Sequence, residues 1–148
     1  MLEEIPYSGR FQDGEHLFAL RVYFEDTDAG GVVYHANYLR FMERARSDML
    51  RVAGIDQRGA LDSGIGVFVI ADLAIKYRFS AKLDDDLLVV SRMQKIGAAM
   101  CVIHQRVMRG QDMVTEATVT AAFVGPDGRP RRLPRAWTEI FERLKGRA

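Results

Sequence analysis

The chain has 148 residues, of which 48% are hydrophobic and 28% are charged, and its formal net charge is +1. This length is enough for one domain with a sizeable core that needs no covalent cross-links. We therefore expect one domain spanning residues 1–148. The balanced charge provides no long-range attraction to nucleic acid or to an anionic membrane, so neither is an expected partner.

The compartment is indicated by three features of the sequence. The only cysteine, Cys101, excludes an intramolecular disulfide and is typical of a reducing environment. No apolar run approaches the roughly 18 residues of a membrane span. The first residues, MLEEIPYSGR, are acidic where a signal peptide is basic and then apolar. These features predict a cytoplasmic protein without a membrane span.

The first predicted strand follows an irregular, polar lead-in at residues 1–15. HLFALRVYFED, from His16 to Asp26, alternates in polarity and is rich in aromatic and β-branched residues, which is typical of a strand. The next residues, TDAGG, predict a turn.

A long amphipathic helix is predicted after this turn. Its apolar residues recur at steps of three and four: Tyr38, Phe41, Met42, Ala45, Met49 and Val52. The charged residues fall between them: Arg40, Glu43, Arg44, Arg46 and Arg51. Gly54 is a natural end for this helix.

The hydrophobic period changes to two after Gly66. One face of a long strand is predicted to carry Val67, Val69, Ala71, Leu73, Ile75, Tyr77 and Phe79. KLDDD is predicted to turn the chain. Three further strands follow, LLVVSRMQKIG, AMCVIHQRVMR and DMVTEATVTAAFV, before GPDGRP interrupts the pattern and Pro134 opens a last helix. The order predicts an α+β fold in which an antiparallel sheet packs on one long helix.

The acidic and glycine-rich loop before the long helix, Asp26 to Gly31, does not fit the common ligand motifs. A calcium loop requires a glutamate at position 12, where this chain has Asn37. No GxGxxG or GxxxxGK[ST] phosphate motif is present, and the three histidines show no metal-ligand spacing. DSGIG lacks the first glycine of a serine-hydrolase GxSxG motif. No metal and no cofactor are therefore predicted.

Thioester hydrolysis needs only a carboxylate beside a helix N-terminus. The helix amides polarise the carbonyl, and the carboxylate activates water or attacks the carbonyl itself. The leaving thiol needs no strong acid, because its pKa is near 8.5 if cysteine is a rough model. Asp28 has this position, although a residue there can also simply cap the helix.

The stretch RVYFEDTDAGGVVYHANYLRFMERAR closely resembles the signature of hotdog-fold acyl-CoA thioesterases. The similarity is to the 4-hydroxybenzoyl-CoA thioesterase family, in particular to its Tol–Pal-associated (YbgC-type) branch. It continues through VIADLAIKYRFSAKLDDDLLV and loosely over nearly the whole chain. The resemblance implies a hotdog fold, a curved antiparallel sheet around one long helix. It also implies that Asp28 is the catalytic carboxylate and that His35 lies beside the thioester, while Phe24 replaces a tyrosine frequent in the branch.

Site residues follow from the resemblance and from position. We expect Asp28 and His35 to be catalytic, whereas Asp26 is expected to cap or turn the chain. Six residues are expected to bind substrate: Phe24, Gly31, Tyr34, Asn37, Val69 and Ala71. Small to medium aliphatic residues among them, with no charged side chain evident, predict a short to medium uncharged acyl group.

Two alternative functions remain open from the sequence. A hotdog hydratase or dehydratase would also use an Asp/His pair, but its H-F-P-G type motif is absent. A non-catalytic acyl-binding scaffold for envelope or lipid-synthesis proteins is the other, because the resembled branch is associated with such partners. Hotdog proteins generally pair into dimers or tetramers, and the apolar Cys101, Ile103 and Val107 are predicted to lie on a partner surface.

Overall fold

The computed structural model describes residues 2–146, so the predicted domain range of 1–148 extends one residue before and two residues beyond the described part. Three helices and six strands form in the order β1, β2, α1, α2, β3, β4, β5, β6, α3. Their bounds are β1 Arg10–Gln12, β2 Glu15–Arg21, α1 Asn37–Val52, α2 Gln57–Asp62, β3 Val67–Tyr77, β4 Asp86–Ile96, β5 Met100–Arg109, β6 Asp112–Val124 and α3 Arg135–Gly146.

The six strands form one antiparallel sheet with the order β1-β2-β4-β5-β6-β3. Strands β4, β5 and β6 follow one another as hairpins, as their alternating sequences predict. Strand β3 pairs only with β6 and therefore lies at an edge of the sheet. The predicted α+β architecture, with one long helix and an antiparallel sheet, is confirmed.

Helix α1 packs on β2 and β4 and covers the inner face of the sheet. Its apolar face is buried as predicted at Tyr38, Phe41, Met42, Ala45 and Met49. Val52 is the exception, because it lies at the last helical position and is 39% exposed. The helix ends where predicted, since Gly54 adopts a left-handed conformation with φ +96°.

The N-terminal part of the sheet differs from the prediction in two ways. Residues 10–12 are not irregular but form β1, which pairs with β2 across a tight turn at Asp13 and Gly14, both with positive φ. The first long strand ends at Arg21 rather than Asp26, and residues Phe24–Asp26 form a 3₁₀ turn. The prediction, which relied on aromatic content, therefore placed the end of the strand too late in the chain.

The predicted face of β3 is wrong in its N-terminal half because the strand contains a β-bulge. Ile70 pairs with Ala121 and Asp72 with Thr120, so Ala71 is an extra residue without a partner. An extra residue exchanges the two faces of a strand. Leu73 and Ile75 pack on the core as predicted, but before the bulge it is Phe68 that packs inward.

The predicted partner surface on β5 is also wrong. Cys101, Ile103 and Val107 point inward and are at most 2% exposed, so they belong to the core of this chain. The predicted last helix is confirmed as α3, whose Trp137 and Phe141 pack against Phe68. Helix α2 was not predicted. Within residues 2–146, no helix has both the length and the apolar character needed to cross a membrane.

Candidate active site

The loop between β2 and α1 is held in place by backbone pairing on both sides. Thr27 and Val33 form a bridge across the loop, and Val32 bridges to Lys82. At its tip, Gly31 has φ +82° and donates its N–H to the Asp28 carbonyl at 3.0 Å. The glycine is needed because this conformation is strained for other residues. The loop therefore presents Asp28 in a fixed position before the helix.

The Asp28 side chain is exposed and only one of its oxygens is occupied by the loop. Its Oδ1 accepts hydrogen bonds from the N–H groups of Gly30 at 2.8 Å and Val32 at 3.4 Å. Its Oδ2 has no hydrogen-bond partner among residues 2–146. A carboxylate held by one oxygen, with the other free, is suited to bind a water molecule or to meet an electrophile.

Asp26 has a different role, because both of its oxygens have partners in the protein. Oδ2 accepts from the Tyr23 N–H and Oδ1 from the Asn37 side-chain amide, each at 2.7 Å. Asn37 is consequently oriented at the first turn of α1 and is only 9% exposed. The expectation that Asp26 caps and organises the turn is confirmed.

The N-terminus of α1 is not capped by a side chain. Ala36 occupies the N-cap position and makes no side-chain cap hydrogen bond. The N–H groups of His35 and Ala36 donate to no other residue in the described part of the chain. Free amides at the positive end of a helix dipole attract negative charge. The site therefore combines a carboxylate with donors able to hold a developing oxyanion.

An open depression of about 350 Å³ brings three of the predicted residues together. Asp28, Tyr34 and Asn37 line it, and Arg40 lies one helical turn after Asn37. The other lining residues are Glu25, Thr27 and Ala36. The sequence interpretation assigned Arg40 to the solvated face of the helix. Its spacing of three residues from Asn37 is the signal that places it beside the loop.

His35 is exposed and lies next to the depression rather than in its lining. Its ring meets Tyr34 with centroids 4.7 Å apart and Tyr77 with centroids 6.2 Å apart, both edge-on. The Tyr77 hydroxyl donates to the His35 carbonyl at 2.9 Å. Tyr77 thus joins the end of β3 to the start of α1, a contact that the sequence analysis did not find.

Four predicted substrate-binding residues do not line the depression. Gly31 shapes the loop, and Phe24 is 82% exposed in the 3₁₀ turn. Val69, 42% exposed, points to the outer face of β3, and Ala71 forms the bulge. Both lie on the free edge strand rather than beside Asp28. Within residues 2–146, no group of three or more His, Cys, Asp or Glu side chains is arranged to hold a metal ion.

An antiparallel sheet packed on one long helix, with an acidic loop at the helix N-terminus, is the arrangement that the resemblance to hotdog-fold thioesterases implies. A model of the thioesterase-like superfamily matches residues 22–143 of the chain. The acyl-CoA thioesterase YbgC of Haemophilus influenzae is 42% identical over 134 residues, covering 90% of this chain and 98% of that protein. The acyl-CoA thioester hydrolase YbgC of Escherichia coli is 37% identical and covers 83% and 92%.

Solved structures give the same result for the fold. A probable thioesterase from Bartonella henselae superposes with a TM-score of 0.77 at 38% identity, covering 81% of this chain and 99% of that one. A DHNA-CoA thioesterase from Staphylococcus aureus has a TM-score of 0.83 at 21% identity and covers 89% and 91%. The predicted hotdog fold is confirmed, and the chain belongs to the thioesterase-like superfamily.

Proposed function

We propose that this chain hydrolyses acyl-CoA thioesters to a free acid and CoA, with Asp28 as the catalytic carboxylate. Both YbgC relatives are named for acyl-CoA thioester hydrolysis, and the chain shares its family with them over most of its length. The chain is a thioester hydrolase. The observation that carries the assignment of Asp28 is that its Oδ2 has no hydrogen-bond partner within residues 2–146, while Asp28 shares the depression with Ala36 of the uncapped helix N-terminus.

The reaction needs one carboxylate and one oxyanion site. As a general base, Asp28 takes a proton from water while the water oxygen attacks the thioester carbonyl. The N–H groups of His35 and Ala36 hold the oxyanion, after which the C–S bond breaks and the CoA thiolate leaves and is protonated. As a nucleophile, Asp28 instead attacks the carbonyl and forms a mixed anhydride that water cleaves. Neither route needs a cofactor.

The side chains around the depression supply orientation. The His35 ring, which contacts Tyr34 of the depression, is proposed to position water or the thioester. Asn37 is fixed by Asp26 and offers a polar group to the substrate, and Tyr34 provides an aromatic wall. Arg40 lines the same depression as Asp28 and is proposed to meet anionic parts of the substrate.

Replacing Asp28 by Asn tests the assignment, because the amide keeps the size of the side chain but cannot take a proton. We expect kcat to fall by about 100-fold or more. Thermal unfolding should remain that of the wild type, since Asn can still accept from the Gly30 N–H. Asp62→Asn on exposed α2 is the matched control and should keep full activity. Wild-type turnover in Asp28→Asn, measured as thiol release, would refute the mechanism.

A single turnover in H₂¹⁸O distinguishes the two roles of Asp28. If Asp28 is a nucleophile and water cleaves the mixed anhydride at the Asp28 carbonyl carbon, the first acid released carries one unlabelled oxygen from the enzyme, and the label enters Asp28. A general base puts the label only in the acid. Mass spectrometry of the peptide containing Asp28 reads out the difference.

We also propose that two copies join through the edge strand β3, and that the assembly is a homodimer or a tetramer built from dimers. Strand β3 has 11 residues and is paired on one side only. It exposes apolar side chains along that edge, with Val69 at 42%, Ile70 at 49% and Tyr77 at 45%. Free strand edges of this kind invite pairing with another strand. Light scattering that showed an active monomer at micromolar concentration would contradict this assembly.

The remaining expectations complete the proposal. The chain is proposed to fold as one domain in the cytoplasm and to act on short to medium acyl-CoA. The Tol–Pal-type resemblance adds envelope or lipid-synthesis proteins as candidate partners. Acyl length is tested by measuring kcat/KM across acetyl, butyryl, hexanoyl and palmitoyl-CoA, where palmitoyl-CoA as the best substrate would refute the short to medium range.

A further inference from the structure

A second cavity, of about 140 Å³, lies between α1 and the edge of the sheet at β3. Its floor is apolar and mostly buried, and its opening passes the half-exposed Ile70. A cavity of about 150 Å³ is large enough for a ligand the size of benzene. The apolar lining residues are Leu50, Phe68, Ile70, Cys101, Ile103 and Ala121. The lining therefore suits the hydrocarbon part of a short acyl group.

A positively charged side chain, Arg46, lines this cavity from the helix. The sequence places it among the solvated residues of α1, but it is half-buried, and burial lowers the pKa of its guanidinium. Arginine nevertheless stays protonated throughout the physiological range. Within residues 2–146, no carboxylate oxygen lies within 4.0 Å of its guanidinium. Glu43, at the exposed side of the cavity, is instead hydrogen-bonded by Ser47 at 2.7 Å.

The position of Arg46 is fixed by the fully buried Gln105. The Gln105 amide nitrogen donates to the Met42 carbonyl at 3.0 Å and to the Ser91 hydroxyl at 2.9 Å. These two bonds determine which way the amide points, so its oxygen accepts from Arg46 Nη1 at 2.9 Å. One nitrogen of the guanidinium is thereby anchored. The remaining donors are left for a ligand, and a fixed guanidinium binds a carboxylate through two parallel hydrogen bonds.

The cavity wall contains no reactive nucleophile. Burial raises the pKa of the Cys101 thiol to about 12, so it stays neutral and unreactive and serves as an apolar wall. The other polar lining residues are the neutral Ser47 and Gln57 and the carboxylate Glu43, which lies at the exposed side and is hydrogen-bonded by Ser47. Arg46 is the only positively charged residue that lines this cavity in the described part of the chain.

Within one chain, the cavity and the catalytic loop lie at different ends of β3. Ile70 at its opening and Tyr77 beside His35 are seven residues apart on β3, which is about 23 Å along a strand. A short acyl group does not span that distance within one chain. When two β3 edges pair in antiparallel fashion about Leu73 and Ala74, Ile70 of one copy lies opposite Tyr77 of the other. The cavity of one chain then adjoins the helix N-terminus of the second.

We propose that this cavity receives the far end of the acyl group and that Arg46 selects acyl groups ending in a carboxylate. The inference rests on the proposed thioesterase function and on the proposed pairing, and it adds a specificity-determining residue. It revises the uncharged acyl group that the sequence analysis predicts. That prediction assumed that no charged side chain awaits the acyl tail, whereas Arg46 does so from a position the helical pattern assigned to solvent.

The experiment compares matched pairs of thioesters on the purified protein. Succinyl, glutaryl and adipoyl-CoA are each paired with the neutral acyl-CoA of equal carbon number, which are butyryl, pentanoyl and hexanoyl-CoA. For at least one pair, the wild type is expected to show a kcat/KM about tenfold higher for the carboxylate-ended substrate. A preference for the neutral member at all three lengths would overturn the proposal. If no thioester of either set is hydrolysed, it is instead the proposed function that fails.

Two variants assign the preference to Arg46. Arg46→Met keeps the length of the side chain but removes the donors, and it should lower the carboxylate-to-neutral ratio about tenfold or more while neutral substrates are still hydrolysed. Arg46→Lys keeps the charge and should retain part of the preference. Arg51→Met, on the exposed side of the same helix, is the matched control and should keep the wild-type ratio. A wild-type ratio in Arg46→Met would also overturn the proposal.

Discussion

The two flanks of α1 carry the same kind of polar pair and use it in opposite ways. On the β2 flank, Asp48 bonds His16 at 2.7 Å and the two residues are 3% and 0% exposed. On the β3 flank, Arg46 bonds the buried Gln105, yet a cavity remains beside it. Asp48 and Arg46 are two residues apart and so lie about 200° apart around the helix. One flank is sealed, and the other is open.

The difference comes from what covers each pair. The N-terminal segment lies over the Asp48 side, where the Gly9 N–H donates to Asp48 Oδ2 at 2.9 Å and Ser8 reaches Oδ1 at 3.4 Å. No segment of the described chain fills the cavity on the Arg46 side. A buried polar group must be satisfied within the protein, whereas one beside a cavity can be satisfied by water or by a ligand. The sealed pair therefore serves stability, and the open pair is free to serve binding.

The largest expected effect is on the sealed flank. Asp48→Ala removes the acceptor of both His16 and Gly9 and leaves their donors buried without partners. We expect a loss of about 3 kcal/mol in the free energy of unfolding, measured by urea denaturation. Asp62→Ala on exposed α2 is the control and should cost little. A loss below about 1 kcal/mol would mean that water reaches this pair and that the flank is not sealed.

Gly9 tests how tightly the N-terminal segment closes this flank. A Cβ at this position would lie 2.3 Å from the Leu17 carbonyl oxygen and 2.8 Å from Asp48 Oδ2. Neither the backbone oxygen nor the pinned carboxylate can easily move away. Gly9→Ala is therefore expected to lower stability by about 2 kcal/mol. Gly110→Ala is the control for the general effect of replacing a glycine, because a Cβ at this position would meet open space. The φ of +59° at Gly110 adds backbone strain to this control.

The sequence predicted some parts of this molecule and not others, for identifiable reasons. The apolar residues of helix α1 and of strands β4 to β6 recur at regular intervals, and these intervals predicted that the four elements exist and in which order they follow. The bulge at Ala71 did not, because the first residues of the strand, VFVIA, are all apolar, so no change in the alternation marks the extra residue. The motif around Asp28 is continuous in the sequence and could therefore be recognised without a structure. Arg46 looks like any solvated helix residue, since its partner Gln105 is 59 positions away.

The sealed pair also predicts how stability depends on pH. Burial lowers the pKa of His16 below its usual 6.5, against the opposing effect of Asp48. His16 Nδ1 has no partner in the described chain, so a protonated ring would bury an unpaired N–H. The neutral ring donates from Nε2 to the Asp48 carboxylate. Because the folded pKa is the lower one, this stability is complete above pH 6.5 and is lost as the pH falls through the folded pKa.

Urea denaturation of the wild type and of His16→Gln between about pH 7.5 and pH 5 measures this dependence. The wild type should lose more stability than the variant over that range. The difference between the two losses should be smaller than the loss in the free energy of unfolding that Asp48→Ala causes. Parallel curves for the two proteins would show that the pKa of His16 is the same in the folded and the unfolded protein.

The smallest expected change is the effect of Arg46→Met on stability. The substitution leaves the buried Gln105 oxygen without its donor, which on the sealed flank would carry the full cost of an unpaired group. Here the adjoining cavity admits water, and water can donate to that oxygen in place of the guanidinium. We expect a loss of about 1 kcal/mol or less in urea denaturation, well below that of Asp48→Ala. A loss as large as that of Asp48→Ala would show that the Arg46 flank is also sealed, and the cavity would then have no room for an acyl group.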